Sequence, residues 1–311
     1  MAQLSPNARI AALVVTYLPD QALPERLNRL REQVERLVIV DNGSDAASLV
    51  TLQRASDNVH VSVVRNAENL GIATALNQGI AILAAEGYDW IFTSDQDSVV
   101  VEGCIAALIE TVAQDPDAGG VALVGANRQE GGDPFGHRWL RPRKRPPFFE
   151  RVTCDRIDSD GVTLVITSGT LMSVAAFREL GPFTEELFID FVDFEYCLRA
   201  RRAGYRILVS CAARLLHRVG VRAKAQLSGV TLSPTHHGPL RKYYLFRNAI
   251  AVMRKYGATF PHWLIYQLAA LLEILLGILF VEERKLPKLR ACMIGIWDGI
   301  LGRKGAALRR F

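Results

Sequence analysis

The chain has 311 residues, 50% of them hydrophobic and 22% charged, which excludes a disordered polymer and leaves room for one large domain with an elaboration or two small ones. The net charge of +5 conceals an asymmetry: residues 241–311 carry 13 Lys and Arg against 4 Asp and Glu, or +9, and the other 240 carry 24 against 28, or −4. A basic C-terminal segment meets nucleic acid or an anionic membrane, and the residues between its charges decide which.

From the N-terminus, MAQLSPNARIAALVVTY has too short an apolar run for a signal peptide and enters a strand at once, as expected of a cytoplasmic protein. Short Val, Ile and Leu runs follow: ALVVTY (12–17), RLVIVDN (36–42), VHVSVVRN (59–66), DWIFTSDQD (89–97) and GGVALVGA (119–126). Between them, PERLNRLREQV (24–34) sets Leu27, Leu30 and Val34 on one helical face, and GIATALNQGIAILAAEG (71–87) does the same with Ile72, Leu76, Ile80 and Leu83. Near-continuous apolar strands alternating with helices predict an α/β fold with a mostly parallel sheet covered on both faces.

In such sheets the ligand crevice lies beyond the carboxyl ends of the strands. Polar residues gather there: Thr16 and Tyr17 after the first strand, Asp41 and Asn42 after the second, Asn66 and Asn69 after the third, and Asp95 and Asp97 at the fourth. Each has a local explanation, since DNGSD (41–45) is good turn chemistry and Asn69 could cap a helix. Four strands delivering such residues to one rim favour a binding site.

Residues 127–160, rich in Gly, Pro and Arg and without a period, are expected as a long mobile loop over that site. RPRKRPP within it is too short, and lacks the aromatic repeats, to predict nucleic-acid binding. Order is expected again from VTLVITSGTLMSV (162–174), then through FIDFVDFEYCLRARRAGYRILV (188–209) as loop, helix with Leu198, turn at Gly204 and strand. Five scattered cysteines, Cys104, Cys154, Cys197, Cys211 and Cys292, show neither CxxC nor metal-like spacing and read as ordinary reduced thiols.

Neither GxGxxG after the first strand nor GxxxxGK[ST] occurs, so a phosphate here lacks the usual backbone cradle. A divalent cation would serve instead, because Mg²⁺ needs only one or two protein carboxylates plus phosphate oxygens. DQD (95–97) at a strand end then reads as a metal–diphosphate site. A second acidic cluster, Asp190, Asp193 and Glu195, lies among aromatics in ELFIDFVDFEYCLR (186–199). Apolar neighbours raise a carboxylate's pKa towards the range a general base needs. The competing explanation is helical ion pairing with Arg199, Arg201 and Arg202.

The order VVTY, IVDNGS, NLG, SDQD, SGT, FIDFVDFEYCLRARRAGY and LHRVG, from about residue 10 to about residue 256, resembles the inverting GT-A enzymes of glycosyltransferase family 2. More narrowly it resembles bacterial rhamnosyltransferases that use dTDP-L-rhamnose, and RKYYLFRNAIAVMRKYG (241–257) looks like their tail segment. The resemblance implies that Thr16, Asp41 and Asn69 line the nucleoside pocket, with Tyr17, Asn42, Ser168, Gly169 and Thr170 among the donor contacts. It implies Asp95 at the ribose and diphosphate, Asp97 on Mg²⁺ or Mn²⁺ with Asp95 beside it, and His217 as a second metal contact. Asp193 matches the catalytic base. Val192 stands where the family has Glu, a departure shared by the rhamnosyl subgroup, and Leu18 stands where that subgroup often has Asn.

The expectation is therefore a GT-A catalytic domain over 1–240, with a nucleotide-sugar half at about 1–126 and an acceptor half at about 127–240, and a helical region over 241–311. The acceptor implied is a glycan or lipid-linked glycan of bacterial surface polysaccharide of the O-antigen kind. WLIYQLAALLEILLGILFV (263–281) approaches the length of a membrane span, but Glu273 at its centre disfavours one. With basic ERKLPKLR (283–290) and GRKGAALRR (302–310) around apolar ACMIGIWDGIL (291–301), the region reads as lying peripherally on the anionic inner face of the cytoplasmic membrane. Packing against the catalytic domain or in a homo-oligomer is the other reading. Three functional rivals stay open: a UDP-hexose donor, a nucleotidyltransferase, and a non-catalytic membrane or polysaccharide-binding protein.

Overall fold

The computed structural model describes residues 8–55, 60–129, 137–157, 161–217, 225–227, 230–232, 237–307 and 311. They form two compact units. One comprises the chain up to Arg141, Arg151–Thr184 and Asp193–Arg218; the other comprises Pro142–Glu150, Glu185–Val192 and the chain from Val219.

The first unit follows the alternation read from the sequence. Its elements are β1 (Ile10–Thr16), α1 (Leu23–Arg31), β2 (Arg36–Asp41), α2 (Ala46–Ala55), β3 (Val61–Arg65), α3 (Ile72–Ala85), β4 (Trp90–Asp95), β5 (Ser98–Val100), α4 (Cys104–Ala113) and β6 (Val121–Gln129). After β7 (Trp139–Pro142) and β8 (Phe149–Val152) come β9 (Thr170–Ser173), α5 (Val174–Leu180), α6 (Val192–Arg202) and β10 (Arg206–His217). The sheet order is β3-β2-β1-β4-β9-β6-β10-β5. Strands β9 and β5 run against the rest: β9 is antiparallel to both β4 and β6, and β5 to β10.

The apolar strands are covered as their composition requires. Val14, Ile39, Phe92 and Val124 are at most 1% exposed, and they share a core with Leu27 and Leu30 of α1 and Ile105 and Leu108 of α4. Fully burying each such side chain stabilises the fold by about 1.5–3 kcal/mol. That core fixes the sheet, so the ends of β1, β2 and β4 form a rigid rim.

Two expectations are corrected. The segment 127–160 is not wholly irregular: β6 runs on to Gln129, and β7 pairs with β8 in a two-stranded ribbon, while 130–136 and 158–160 lie outside the described residues. Nor are all five cysteines free thiols. A register shift between Ser210 and Arg214 bulges β10 and brings Cys211 to Cys154 as a disulfide, with 5.6 Å between the Cα atoms, within the usual range for such a bridge.

The second unit holds β11 (Ala225–Leu227) and β12 (Val230–Leu232), paired as a ribbon, and three helices: α7 (Pro239–Tyr256), α8 (Pro261–Phe280) and α9 (Lys285–Ile300). Pro at the first turn of α7 and α8 fits positions that need no N–H donor. A buried ion triad ties the helices together. Glu282, just beyond α8, accepts from Lys242 of α7 at 2.9 Å and from Lys288 of α9 at 2.7 Å, and all three side chains are at most 7% exposed. Burial alone raises the Glu282 carboxyl, but the hydrogen bonds and charges of the two lysines outweigh it and leave it below the ordinary carboxylate value.

Candidate active site

The rim at the ends of β1, β2 and β4 gathers most of the polar residues singled out in the sequence. Thr16 and Asp41 are opposite one another in the β1–β2 register, and the Thr16 hydroxyl donates to Asp41 Oδ1 at 3.1 Å. Asp41 also accepts from the Ser44 hydroxyl and, through Oδ2, from the Ser44 N–H at 3.1 Å. A carboxylate offers about four acceptor positions, so this fully buried group holds the turn after β2 and keeps one direction on Oδ2. The turn needs its glycine: Gly43 has φ +86°, and a Cβ there would meet the Glu68 carbonyl carbon at 2.4 Å.

Asn42, Asn66, Asn69 and Gln78 form an amide network. Asn42 donates to Asn69 Oδ1 at 3.0 Å, and Asn66 donates to Asn42 Oδ1 at 3.1 Å and Gln78 Oε1 at 3.0 Å. Asn69 Oδ1 also accepts from the Gly71 N–H, at the start of α3. Asn69 thus meets the N–H of the residue before α3 but does not cap the helix, whose N-cap is Gly71 with no side-chain cap bond.

The acidic pair stands on the turn from β4 into β5, with Asp95 and Asp97 both half-buried. Gln96 between them was not singled out in the sequence, yet it pins the turn. Its amide exchanges hydrogen bonds with the Tyr17 backbone at 2.8 and 3.0 Å, and its carbonyl accepts from Arg26 Nε at 2.7 Å. With Gln96 held inward on the end of β1, its two neighbours stand at either side of a fixed point.

Ser168, Gly169 and Thr170, distant in sequence, arrive at the same turn. Ser168 Oγ accepts from the Asp95 N–H at 3.1 Å and pairs with Ser98 Oγ at 2.8 Å. Gly169 donates to the Thr93 carbonyl at 2.8 Å, and its carbonyl accepts from Ala126 N–H at 2.7 Å. Its φ of +81° and a would-be Cβ 2.7 Å from Leu215 Cδ2 again call for glycine. The reversed direction of β9 makes this meeting possible, because its first residue lies at the edge where β4 ends.

Of the second acidic cluster, Glu195 is 2% exposed, accepts from Arg199 at 2.8 Å and from the Thr184 hydroxyl at 3.1 Å, which is the ion-pair explanation. Asp190 belongs to the helical unit and pairs with Arg241 of α7 at 3.1 Å. Burial pushes its carboxyl above the ordinary value despite Arg241 and Lys242 nearby. Asp193 sits in the first turn of α6 and accepts from the Phe194 N–H at 2.9 Å, where the helix dipole favours negative charge.

The direction of α6 can be read from its contacts. Arg201 donates to the Val162 carbonyl at 2.8 Å, and Cys197 Sγ contacts Val165 N at 3.5 Å and Val165 O at 3.3 Å. The helix therefore runs antiparallel to 162–165, with Asp193 one turn before Cys197. No shared period or spacing in the sequence announces this approach.

His217 pairs by its backbone with Ser98, next in chain to Asp97; its side chain lies outside the described residues. Among the described residues no group of three or more His, Cys, Asp or Glu could by itself hold a metal ion. The donor set, two carboxylates at a strand end beside a hydroxyl pair, fits a hard cation completed by phosphate oxygens of a ligand.

A family model for glycosyl transferase family 2 matches residues 12–181, more than half of the chain. The dTDP-rhamnosyl transferase RfbF of Shigella flexneri is 27% identical over 305 residues, covering 96% of this chain and 98% of that protein. An N-acetylglucosaminyl-diphospho-decaprenol L-rhamnosyltransferase of Mycobacterium tuberculosis is 28% identical over 240 residues, 67% of this chain and 75% of the relative. Among solved structures, the mannosyltransferase PcManGT from Pyrobaculum calidifontis, in complex with GDP-Man and Mn²⁺, superposes with a TM-score of 0.57 at 15% identity, over 96% of this chain and 88% of its own. The sheet, the rim and the family match agree: the chain is a glycosyltransferase and belongs to glycosyl transferase family 2.

Proposed function

We propose that the protein transfers an L-rhamnosyl group from dTDP-L-rhamnose, with inversion, to a hydroxyl of a lipid-linked glycan. The donor is supported by the activity named for the Shigella relative across nearly the whole chain. The kind of acceptor is supported by the prenyl-diphosphate-linked sugar in the mycobacterial relative's name. The observation that supports the mechanism is the antiparallel run of α6, with Asp193 in its first turn, along 162–165, the segment that leads to Ser168 beside Asp95.

In this reading Asp193 removes the proton of the acceptor hydroxyl as it attacks the anomeric carbon. Thr16, Tyr17, Asp41, Asn42 and Asn69 line the nucleoside pocket, and Asp95 with Ser168, Gly169 and Thr170 faces the ribose and diphosphate. Asp97, with Asp95 and His217, would hold Mg²⁺ or Mn²⁺, which when bound neutralises charge developing on the diphosphate. One base and one displacement give inversion, without a protein nucleophile.

Thermal stabilisation by nucleotide sugars tests the donor, since a ligand at 100 times its Kd adds about 2.7 kcal/mol. The expected result is a shift largest with dTDP-L-rhamnose and Mn²⁺ or Mg²⁺, lost in EDTA and in Asp97→Ala. A larger shift with UDP-glucose or UDP-galactose would replace the donor, and binding unchanged by EDTA would remove the metal from Asp97.

The helical unit supports peripheral attachment to an anionic membrane. By length and composition α8 is the one helix among the described residues able to cross a bilayer. It also exposes a stripe of Ile265, Leu268, Leu272 and Leu279, and α9 exposes Leu286, Met293, Trp297 and Ile300 beside Lys285 and Arg290. Apolar stripes flanked by cations suit an interface between headgroups and acyl chains. The protein is expected to sediment with vesicles containing phosphatidylglycerol and to be released by salt; equal binding to neutral vesicles would remove the electrostatic part.

A further inference from the structure

The segment 185–192, which leads into α6, has an unusual backbone. Phe188, Asp190 and Phe191 have φ of +65°, +62° and +67°, the left-handed region that side chains with a Cβ avoid. Asp visits this region more readily than most residues, but the two phenylalanines do not, so local preference does not explain the run. Something must hold it.

One face of α7 does so. Asn248, 1% exposed, points its amide nitrogen at three carbonyls of this segment: Leu187 at 2.7 Å, Ile189 at 2.8 Å and Asp190 at 3.0 Å. Arg247, also 1% exposed, donates from Nη2 to the Glu186 and Leu187 carbonyls at 3.2 and 3.1 Å. Its Nε donates to Asn248 Oδ1 at 2.9 Å. That bond fixes which way the amide faces, because the flipped amide would set its oxygen against three carbonyls and its nitrogen against a guanidinium. Tyr244 stacks on Phe188 at 5.1 Å, and Arg241 pairs with Asp190 at 3.1 Å. Four side chains of α7 thus grip the consecutive residues Glu186 to Asp190, which end three residues before Asp193.

We propose that Asn248, oriented by Arg247, is a positioning residue for glycosyl transfer: it holds the left-handed backbone at Phe188, Asp190 and Phe191, from which α6 starts with Asp193 in its first turn. The proposal rests on Asp193 being the base. A carboxylate must reach the acceptor proton within about 2.6–3.2 Å, and displacements of about 1 Å can lower a rate a hundredfold. A residue that never meets substrate can therefore control turnover through the backbone it holds.

The test compares Asn248→Ala with the parent protein and with Asp193→Asn, with Asn248→Ser as the milder change should the alanine variant fold poorly. Turnover is followed as dTDP release from dTDP-L-rhamnose, both with a prenyl-diphosphate-linked N-acetylglucosamine and with water alone. Donor Kd and hydrogen exchange of the 187–192 amides are measured on the same samples. The expected result is exchange at least tenfold faster in that segment, kcat lower by ten- to a hundredfold, and donor Kd within twofold. Adding Asn248→Ala to Asp193→Asn should then lower the rate no further, because both act on one step. Turnover within twofold of the parent, while Asp193→Asn is inactive, would overturn the positioning role alone. So would a parallel loss of kcat and donor affinity, which marks a general structural role. An Asp193→Asn variant as fast as the parent would remove the base, and the positioning role with it.

Discussion

Asp193→Asn is expected to lower kcat by about 10²–10⁴-fold, the usual contribution of a positioned base, equivalent to about 3–5 kcal/mol of barrier at 1.36 kcal/mol per decade. Asparagine keeps the volume and can still accept from the Phe194 N–H that now meets Asp193 Oδ1, so α6 should start where it did. What it loses is the capacity to take a proton. Donor binding should stay within twofold, because the rim proposed to hold the nucleoside is built on β1, β2 and β4, not on α6. A variant that turns over at the parent rate would rule out Asp193 as the base. A variant that loses donor affinity as well would point to a binding role. Glu195→Gln is the informative companion: it removes a structural ion pair with Arg199 and should reduce stability more than rate per folded molecule.

The largest effect on stability is expected at Glu282. Replacing it with Gln leaves the buried ammoniums of Lys242 and Lys288 without the carboxylate that now lies 2.9 and 2.7 Å from them. Breaking a buried pair by removing one partner costs about 3–5 kcal/mol, a large share of the roughly 5–15 kcal/mol that stabilises a domain. Urea unfolding monitored through the helical unit should show it. The pH dependence carries the same signature. Because the folded Glu282 carboxyl lies below its ordinary value of 4.5, its contribution is complete above that value and is lost as pH falls through the lower folded one. That acid-sensitive component should be missing in Glu282→Gln. Equal stability of the two proteins would mean that the lysines lose their charge, or reach water, at little cost.

Much of this was legible in the chain itself. Apolar strands of the right length, punctuated by polar ends, located β1 to β4 and β6 within a few residues, since burial on both faces leaves the strongest compositional mark. The rim residues were found because each ends such a run. Helices α2 and α4 were not read: of the side chains α2 buries, Ser48, Leu52 and Ala55, only Leu52 carries a strong hydrophobic signal. The direction of β9 was invisible, because alternation and composition are the same whichever way a strand runs. Gln96, Ser44 and Ser98 gave no signal either, being common polar residues whose importance comes from what folds against them. The left-handed residues at 188, 190 and 191 were hidden for a similar reason: two of them are phenylalanines, which do not announce such a backbone.

One consequence of the reversed strand β9 concerns how such an enzyme can change. Strand β6 leaves the sheet at the rim, and β9 re-enters at the same edge, with Gly169 bonded to Ala126. The chain thus leaves the sheet after Gln129 and rejoins it at Thr170. The exposed turn at 143–148 between β7 and β8 can change in length without altering the register of the eight-stranded sheet, as closing a longer loop adds only about 0.6 kcal/mol per doubling. A lineage could exchange that turn while Ser168 keeps its bond to Asp95 and the ends of β1, β2 and β4 are inherited intact.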